Sequence, residues 1–279
     1  MRIALCNEVL APMPFERQCE FAAALGYEGL ELAPFTLADE PLSLTANERT
    51  RLRQQAQSAG LAISGLHWLL ARPPDLSITD ADPDVRARTL ARLHGLIDLC
   101  ADLGAPIMVH GSPAQRRLPE GPQAQAARER AIEAFAQVAE HAGRAGITYC
   151  IEPLAPPEAN FIQSLDEAVQ IVRRIGHPAL RTMLDCCAAG RAESQTPAAL
   201  LERWLPAGLL AHVQVNDANL RGPGQGAQTF RPVIDALRRH HYRGWIAVEP
   251  FDYVPDGPGA AARAIGYIRG ILEALESIQ

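Results

Sequence analysis

The sequence lacks the signals that are typical of nucleic-acid-binding, membrane and secreted proteins. The formal net charge is −6, so no excess of basic residues is available to bind nucleic acid or an anionic membrane surface. No apolar run approaches the roughly 20 residues that span a bilayer. The chain opens directly into a predicted strand at Arg2 with no signal-peptide pattern, which predicts a cytoplasmic protein. We therefore expect neither nucleic acid nor a membrane as a partner.

Motifs for redox and nucleotide chemistry are missing as well. The six cysteines show no CxxC spacing, and the adjacent Cys186 and Cys187 are predicted to pack beside a site and not to form a redox pair. The first predicted strand runs into Asn7-Glu8-Val9 with no GxGxxG turn, which argues against a dinucleotide site. The loop that begins at Arg221 is rich in glycine but lacks the GK[ST] ending of a phosphate-binding loop.

Short apolar runs alternate with longer segments of helical periodicity along the whole chain. Strands are predicted at 2–7, 28–33, 61–66, 105–109, 147–151, 180–184, 210–215 and 245–248. Helices are predicted at 14–25, 47–60, 83–103, 124–145, 164–176, 197–204, 230–240 and 260–277, with Ser164 and Glu167 as a capping box. This alternation predicts a parallel sheet, and eight units in about 250 residues predict an α/β fold, a (β/α)₈ TIM barrel, as one domain over 1–279. An open doubly wound sheet is disfavoured by the missing glycine-rich turn.

Polar side chains stand at the carboxyl ends of the predicted strands, where barrel enzymes place their chemistry. These residues are Asn7, Glu31, His67, His110, Glu152, Asp185, Gln214 and Glu249. The last four follow consecutive strands and offer only oxygen donors. Three carboxylates brought together would repel one another unless a cation lay between them, and Mg²⁺ or Mn²⁺ suits such donors. The alternative is that each acid caps the helix that follows it.

Other candidates for substrate contact lie on strand ends and loops. His67 and His110 are candidates for substrate binding or proton transfer, with a hydrogen-bonded histidine in the barrel mouth as the alternative. Arg221 lies on the glycine-rich loop that we expect to cover the site. Arg116 and Arg117 could hold an anionic group, although a solvated loop is favoured for them.

Six stretches of the chain resemble the sugar phosphate isomerase/epimerase superfamily of xylose isomerase-like barrels. They are Gly65-Leu66-His67-Trp68, His110-Gly111-Ser112-Pro113, Ile151-Glu152-Pro153-Leu154, Met183-Leu184-Asp185, His212-Val213-Gln214-Val215-Asn216-Asp217 and Val248-Glu249-Pro250-Phe251. Each stretch alone is weak evidence. Their occurrence in order, one to a strand, is specific to the superfamily, and the similarity runs nearly end to end.

Resemblance to the ketose 3-epimerases of this superfamily implies roles for individual residues. Glu152 and Glu249 resemble the paired acids that bind the metal and face opposite sides of the substrate carbon. Asp185 resembles the third ligand, and Glu158 the residue that contacts the hydroxyl next to the carbonyl. Two positions depart from the pattern, because the epimerases have histidine where this chain has Gln214 and Ala188. The related hydroxypyruvate isomerases resemble this chain in using glutamine as the fourth ligand.

The resemblance implies a metal-dependent isomerase or epimerase of a small sugar or keto-sugar. Mn²⁺ or Mg²⁺ is the expected cofactor, with Co²⁺ and Zn²⁺ left open, and the reaction would pass through a cis-enediolate with Glu152 and Glu249 as acid and base. A keto-inositol dehydratase-type lyase, an abasic-site endonuclease-like hydrolase and a non-catalytic sugar-binding barrel are the alternatives. The endonuclease would need histidines at 188 and 214. The sugar, its phosphorylation and a homo-oligomeric state stay open.

Overall fold

A computed structural model, which describes residues 1–277, shows eight parallel strands closed into a barrel. The strands are β1 Arg2–Cys6, β2 Gly29–Leu32, β3 Ala62–Leu66, β4 Ile107–His110, β5 Thr148–Ile151, β6 Leu180–Asp185, β7 Leu210–Val215 and β8 Trp245–Val248. Leu5 of β1 pairs with Leu30 on one side and with Val248 on the other, which closes the barrel. The predicted (β/α)₈ TIM barrel is confirmed.

Nine α-helices surround the barrel in the described part of the chain. They are α1 Phe15–Leu25, α2 Ala46–Ser58, α3 Pro83–Asp102, α4 Ala124–Ala145, α5 Leu165–Ile175, α6 Cys186–Ala192, α7 Pro197–Trp204, α8 Arg231–Arg239 and α9 Gly257–Glu276. The eight predicted helices are all present. The additional helix, α6, was not predicted, because it has only seven residues and follows β6 without a connecting loop.

Most helix ends follow their predicted signals, with one correction. Gly26 ends α1 in the left-handed region at φ 90°, where a residue with a side chain would be strained. At α5 only half of the predicted capping box forms. The Ser164 hydroxyl accepts a hydrogen bond from the Glu167 amide, but the Glu167 carboxylate accepts from the amide of Gln163 and not from that of Ser164.

The two faces of the sheet have different environments. Side chains of alternate residues point to opposite faces, so each strand sends one set of side chains outward to the helices and another into the barrel. The main apolar core lies between strands and helices, whereas a smaller cluster is made only of strand residues: Ile107, Val109, Cys150 and Met183. Above this small cluster the buried barrel residues become polar, with Glu31, His212 and Gln214. The interior therefore changes from apolar to polar toward the carboxyl ends.

At the amino-terminal ends of the strands, the ring of Trp245 packs against Gly29. Trp245 is almost fully buried, and a Cβ at position 29 would lie 2.8 Å from its ring. Glycine at position 29 therefore makes room for the tryptophan, and the guanidinium of Arg2 covers the same ring at 4.0 Å.

The six cysteines have the packed environment that was predicted for them. All six cysteines are unpaired and buried, including Cys186 and Cys187 at the start of α6, as the packing role predicts.

Across residues 1–277 we find no helix with the length and hydropathy that a bilayer crossing needs. The cytoplasmic location stays a prediction.

Helix α2 allows a direct test of the local signals. Thr45 and Glu48 form a complete capping box at its start. Replacing Thr45 with Ala removes the side-chain acceptor for the Glu48 amide, and we expect the free energy of unfolding to fall by about 1 kcal/mol. Urea denaturation measures the change. Thr45→Ser keeps the hydroxyl and should stay close to the parent; an equal loss in both variants would contradict the capping role.

Candidate metal centre

Three acidic side chains converge at the carboxyl end of the barrel. Glu152 follows β5, Asp185 ends β6 and Glu249 follows β8. One carboxylate oxygen from each lies within 4.8 Å of the others, and all three residues are buried. The side chains that were predicted to share a site from their places at strand ends do lie together.

Burial and mutual repulsion make the ionised form of this group unfavourable. Burial, followed by the charges of Glu249 and Asp185, raises the pKa of Glu152 well above its usual range. Burial likewise raises the pKa of Glu249 to about 8, although hydrogen bonding and charge from His67 oppose the shift. For Asp185 burial raises the pKa to about 6 against hydrogen bonds that lower it. The group therefore holds protons near neutral pH unless a cation compensates its charge.

Gln214 supplies a fourth oxygen donor on β7, between Asp185 and Glu249 in strand order. Its Nε2 donates to Glu31 Oε1 at 2.7 Å. A carboxylate can only accept hydrogen bonds here, so the amide must turn its nitrogen to Glu31 and keep its oxygen for other contacts. That buried Oε1 has no hydrogen-bond partner, and neither does Oδ2 of Asp185. Two buried acceptors without donors, beside repelling carboxylates, fit a hard divalent cation.

Glu31 lies beneath the site and anchors Gln214. Burial would raise its pKa, but the charge of His212, whose Nε2 lies 2.6 Å from Oε2, together with further partners lowers the pKa to about 2. The Glu31 carboxylate is therefore ionised throughout the neutral range. Sequence analysis placed Glu31 at a strand end, but its function as a support for Gln214 was not predicted.

Asp185 has one of the two functions that the sequence left as alternatives, the helix cap, and its second oxygen is left over for the other. Its Oδ1 accepts a hydrogen bond of 2.6 Å from the Ala188 amide and so caps α6. Its Oδ2 is the acceptor without a partner. Capping fixes the carboxylate and still leaves one oxygen for a ligand.

The position of Glu152 depends on Gly111 and Arg116. A Cβ at position 111 would lie 2.3 Å from Glu152 Oε2, so only glycine leaves room for the carboxylate. Arg116 is fully buried and donates to the carbonyl oxygens of Glu152, at 2.6 Å, and of His110, at 3.3 Å. Arg116 was expected on a solvated loop, and that expectation is wrong, because its guanidinium joins the ends of β4 and β5.

His67 contacts acids through both ring nitrogens. Nδ1 lies 2.9 Å from Glu249 Oε1, and Nε2 lies 3.1 Å from Glu8 Oε2. Burial alone would lower the pKa of His67, but the charge of Glu8 and the further contacts raise it well above its usual range. His67 also lines the cavity, but both of its ring nitrogens are already in contact with acids, so its placement gives little support to the predicted substrate contact.

The side chain of His110 points away from the barrel interior, toward the surrounding helices. Its Nδ1 lies 2.6 Å from the hydroxyl of Tyr149, and its ring packs edge-on against Phe135 of α4. Burial lowers the pKa of His110 to about 3, so the imidazole is neutral. His110 thus faces the helices and is outside the cavity lining, and this placement gives no support to the predicted substrate contact.

Glu158 and Arg221 differ in their relation to the cavity. Glu158 lines it and forms an ion pair of 2.5 Å with Arg191 of α6. Arg221 pairs with Asp252 at 2.8 Å and is outside the lining, so the arginine of the cavity is Arg191. Because α6 was not predicted, sequence analysis did not identify Arg191 as a cavity residue.

A cavity of about 250 Å³ opens above the three acids. Trp68, Leu220 and Phe251 are the exposed large hydrophobic residues of the described chain, and all three line it. Trp68 and Leu220 have positive φ values of 53° and 71°, a strained backbone for such residues that is typical of functional sites. The cavity is therefore acidic at its inner end and apolar at its mouth.

A larger groove, of about 890 Å³, lies near the amino-terminal ends of β1 and β8. It is lined by arginines of α8 and by residues of α7 and α9, and it holds neither of the two groups of metal-ligating side chains found in residues 1–277. We assign the site to the smaller cavity, because only there do buried ionisable groups converge.

Comparison with known proteins gives consistent matches along the chain. A family model described as xylose isomerase-like TIM barrel matches residues 19–271. The D-psicose 3-epimerase of Agrobacterium fabrum is 31% identical over 122 residues, and the aligned segment spans 44% of this chain but only 41% of that protein. The fructoselysine 3-epimerase of Shigella flexneri is 22% identical over 270 residues, 93% of this chain and 94% of that protein. The solved structure of an L-ribulose 3-epimerase shares the fold, with a TM-score of 0.85 at 22% identity over 99% of this chain and 96% of that one.

The acidic group predicts how stability depends on pH and on metal. Folded-state pKa values that are raised, to about 8 for Glu249 and about 6 for Asp185, mean that the folded protein binds protons which the unfolded chain releases near pH 4. Metal-free protein should therefore lose stability as the pH rises from about 4.5 to about 8. Saturating Mn²⁺ or Mg²⁺ should reverse that loss, by about 2.7 kcal/mol at a concentration 100 times Kd. Thermal unfolding with and without chelator measures both effects.

The matched variants for this test are Glu152→Gln and Glu202→Gln. Glu152→Gln removes one of the repelling charges and should flatten the pH dependence of the metal-free protein. Glu202 pairs with His240 at a distance from the site, and its variant should retain the full dependence. A metal-free melting temperature that does not change over this pH range would contradict the repulsion argued here.

Gly111 gives a purely steric test of the site. Alanine at this position would contact Glu152 Oε2 at 2.3 Å and displace the carboxylate, so Gly111→Ala should weaken Mn²⁺ binding at least about tenfold. Isothermal titration measures the affinity. Gly266→Ala is the matched control, because a Cβ there meets no atom within 4 Å and the affinity should not change.

Proposed function

The chain belongs to the xylose isomerase-like TIM barrel family, and on that premise we propose that it is a sugar epimerase, an enzyme of the isomerase class that acts on a small ketose. The observation that supports this most strongly is the convergence of Glu152 and Glu249, with Asp185 beside them, at the inner end of an open cavity. Two buried carboxylates with raised pKa values are suited to remove and return protons near neutral pH.

The substrate class is supported by the similar proteins. They include 3-epimerases of D-psicose, L-ribulose and fructoselysine, so the shared substrate is a ketose, free or substituted. In this chain the Glu158–Arg191 pair offers an acceptor and donors for hydroxyl groups on one wall. Trp68 and Phe251 offer apolar surface for the carbon-bound hydrogens of a sugar at the mouth. The size of the cavity, about 250 Å³, suits one small sugar.

The cofactor in this proposal is a divalent cation held by Glu152, Asp185, Gln214 and Glu249. Four oxygen donors, one of them a neutral amide, favour Mn²⁺ or Mg²⁺ over softer ions such as Zn²⁺. When bound, the cation would act as a Lewis acid that lowers the pKa of the carbon-bound proton beside the carbonyl. Asp185 and Gln214 would then serve only as ligands, because cap and anchor fix them.

Proton transfer in the proposed reaction belongs to Glu152 and Glu249. One carboxylate removes the proton from the carbon next to the ketose carbonyl, which leaves a cis-enediolate. The other returns a proton to the opposite face of the same carbon, and the product is the epimer. Return to the neighbouring carbon would instead give isomerisation. The charge of Arg116 opposes the rise in the pKa of Glu152 and favours its ionised, basic form.

Substitution of the two acids tests this mechanism. Glu152→Gln and Glu249→Gln should each lower kcat by about 10²–10⁴-fold, because the amide cannot take up the proton. Proton NMR in deuterated water with D-fructose, D-psicose, L-ribulose and fructoselysine measures epimer formation and solvent exchange at the reacting carbon. Glu202→Gln should behave like the parent. Turnover that survives in both single variants would rule out this pair as acid and base.

A further inference from the structure

His67 has no ring nitrogen left for a substrate. Nδ1 contacts Glu249 at 2.9 Å and Nε2 contacts Glu8 at 3.1 Å, so the imidazole joins the two acids. The His67 side chain is 2% exposed, which confines its ring between these partners. This arrangement is expected of a residue that orients a neighbouring side chain and does not itself bind a substrate.

Glu8 is held by a rigid segment. It lies in the 3₁₀ turn Asn7–Leu10 that directly follows β1. The side-chain nitrogen Nδ2 of Asn7 donates to Gln18 Oε1 at 3.0 Å and to Thr36 Oγ1 at 2.7 Å. The side-chain oxygen Oδ1 of Asn7 accepts from the backbone amide of Ala33 at 2.8 Å. Because Asn7 fixes the turn at three points, Glu8 is a fixed partner for His67 and not a mobile surface acid.

We propose that Glu8 and His67 form a positioning pair that fixes the carboxylate of Glu249 in the barrel mouth. The pair would hold one oxygen of Glu249 and leave the other directed to the cation and the substrate. This inference rests on the proposed function, since it assigns Glu249 a task that needs a defined orientation. Hydrogen-bonded partners of metal ligands usually affect metal affinity or activity by about 10–100-fold.

The same residues do not make a second metal site. Ligand atoms of Cys6, Glu8, His67 and Glu249 lie within 4.8 Å of one another. The two carboxylates, however, contact opposite nitrogens of one ring. A single ion takes only one nitrogen of an imidazole, so it cannot replace both contacts. The geometry therefore favours a bridge by hydrogen bonds.

A double-mutant cycle tests the positioning pair. We expect His67→Leu to weaken Mn²⁺ binding about 10–100-fold and Glu8→Leu about tenfold, as measured by isothermal titration. In the double variant the effects should not add, because Glu8 acts through His67. With a ketose substrate, kcat should fall more than KM rises. Glu8→Gln, which can still accept from Nε2, should recover most of the affinity.

Controls separate this inference from the proposed function. Glu202→Leu removes the acid of another His–Glu pair, with His240 at 2.7 Å, and should leave Mn²⁺ affinity unchanged. If the leucine variants do not fold, His67→Ala and Glu8→Ala with their double variant give the same comparison. Parental Mn²⁺ affinity in the His67 variant, or additive effects, would overturn the positioning pair. Failure of the parent protein to bind Mn²⁺ or turn over a ketose would instead overturn the proposed function.

Discussion

The mutual repulsion of three buried carboxylates is the constraint around which the upper half of this barrel is organised. Glu152, Asp185 and Glu249 face one another in a volume with little water, where the ionised forms of all three cannot coexist without compensation. Each carboxylate has a different partner that favours its ionised form. Asp185 accepts a hydrogen bond from a helix amide, Glu249 contacts His67, and the charge of the buried Arg116 acts on Glu152. A divalent cation would complete the compensation.

Supporting side chains turn this unfavourable cluster into a defined one. Glu31, kept ionised by His212, accepts a hydrogen bond from the amide nitrogen of Gln214, and the amide oxygen is left without a donor. Asn216 extends the same order outward, because its side chain accepts from the Cys187 amide and donates to the Glu249 carbonyl. The ends of β6, β7 and β8 are thereby held in one arrangement, and a site built on strand ends inherits the rigidity of the barrel.

Much of this could be predicted from sequence, since the signals are local or periodic. Apolar runs separated by helical segments predicted every strand and eight helices, and acids that end apolar runs predicted the group of three carboxylates that the structure brings together. The failures have physical causes. Helix α6 is too short to show a period, so Arg191 was not identified. At the start of α5 the Glu167 carboxylate accepts a hydrogen bond from the amide of Gln163 in place of that of Ser164. His110 ends β4 as His67 follows β3, but alternation along the strand turns it to the helices.

Periodicity and strand termination are properties of neighbouring residues, so the amino-acid sequence was enough to predict the barrel and the kinds of side chain at its carboxyl end. Which of those side chains contact one another depends on the tertiary fold. His67 and Glu249, and Glu31 and Gln214, are far apart along the chain and meet because the barrel closes between β1 and β8. The partner that each side chain meets across the barrel determines which polar atoms are hydrogen-bonded and which stay free for a ligand. No local sequence pattern encodes that distinction.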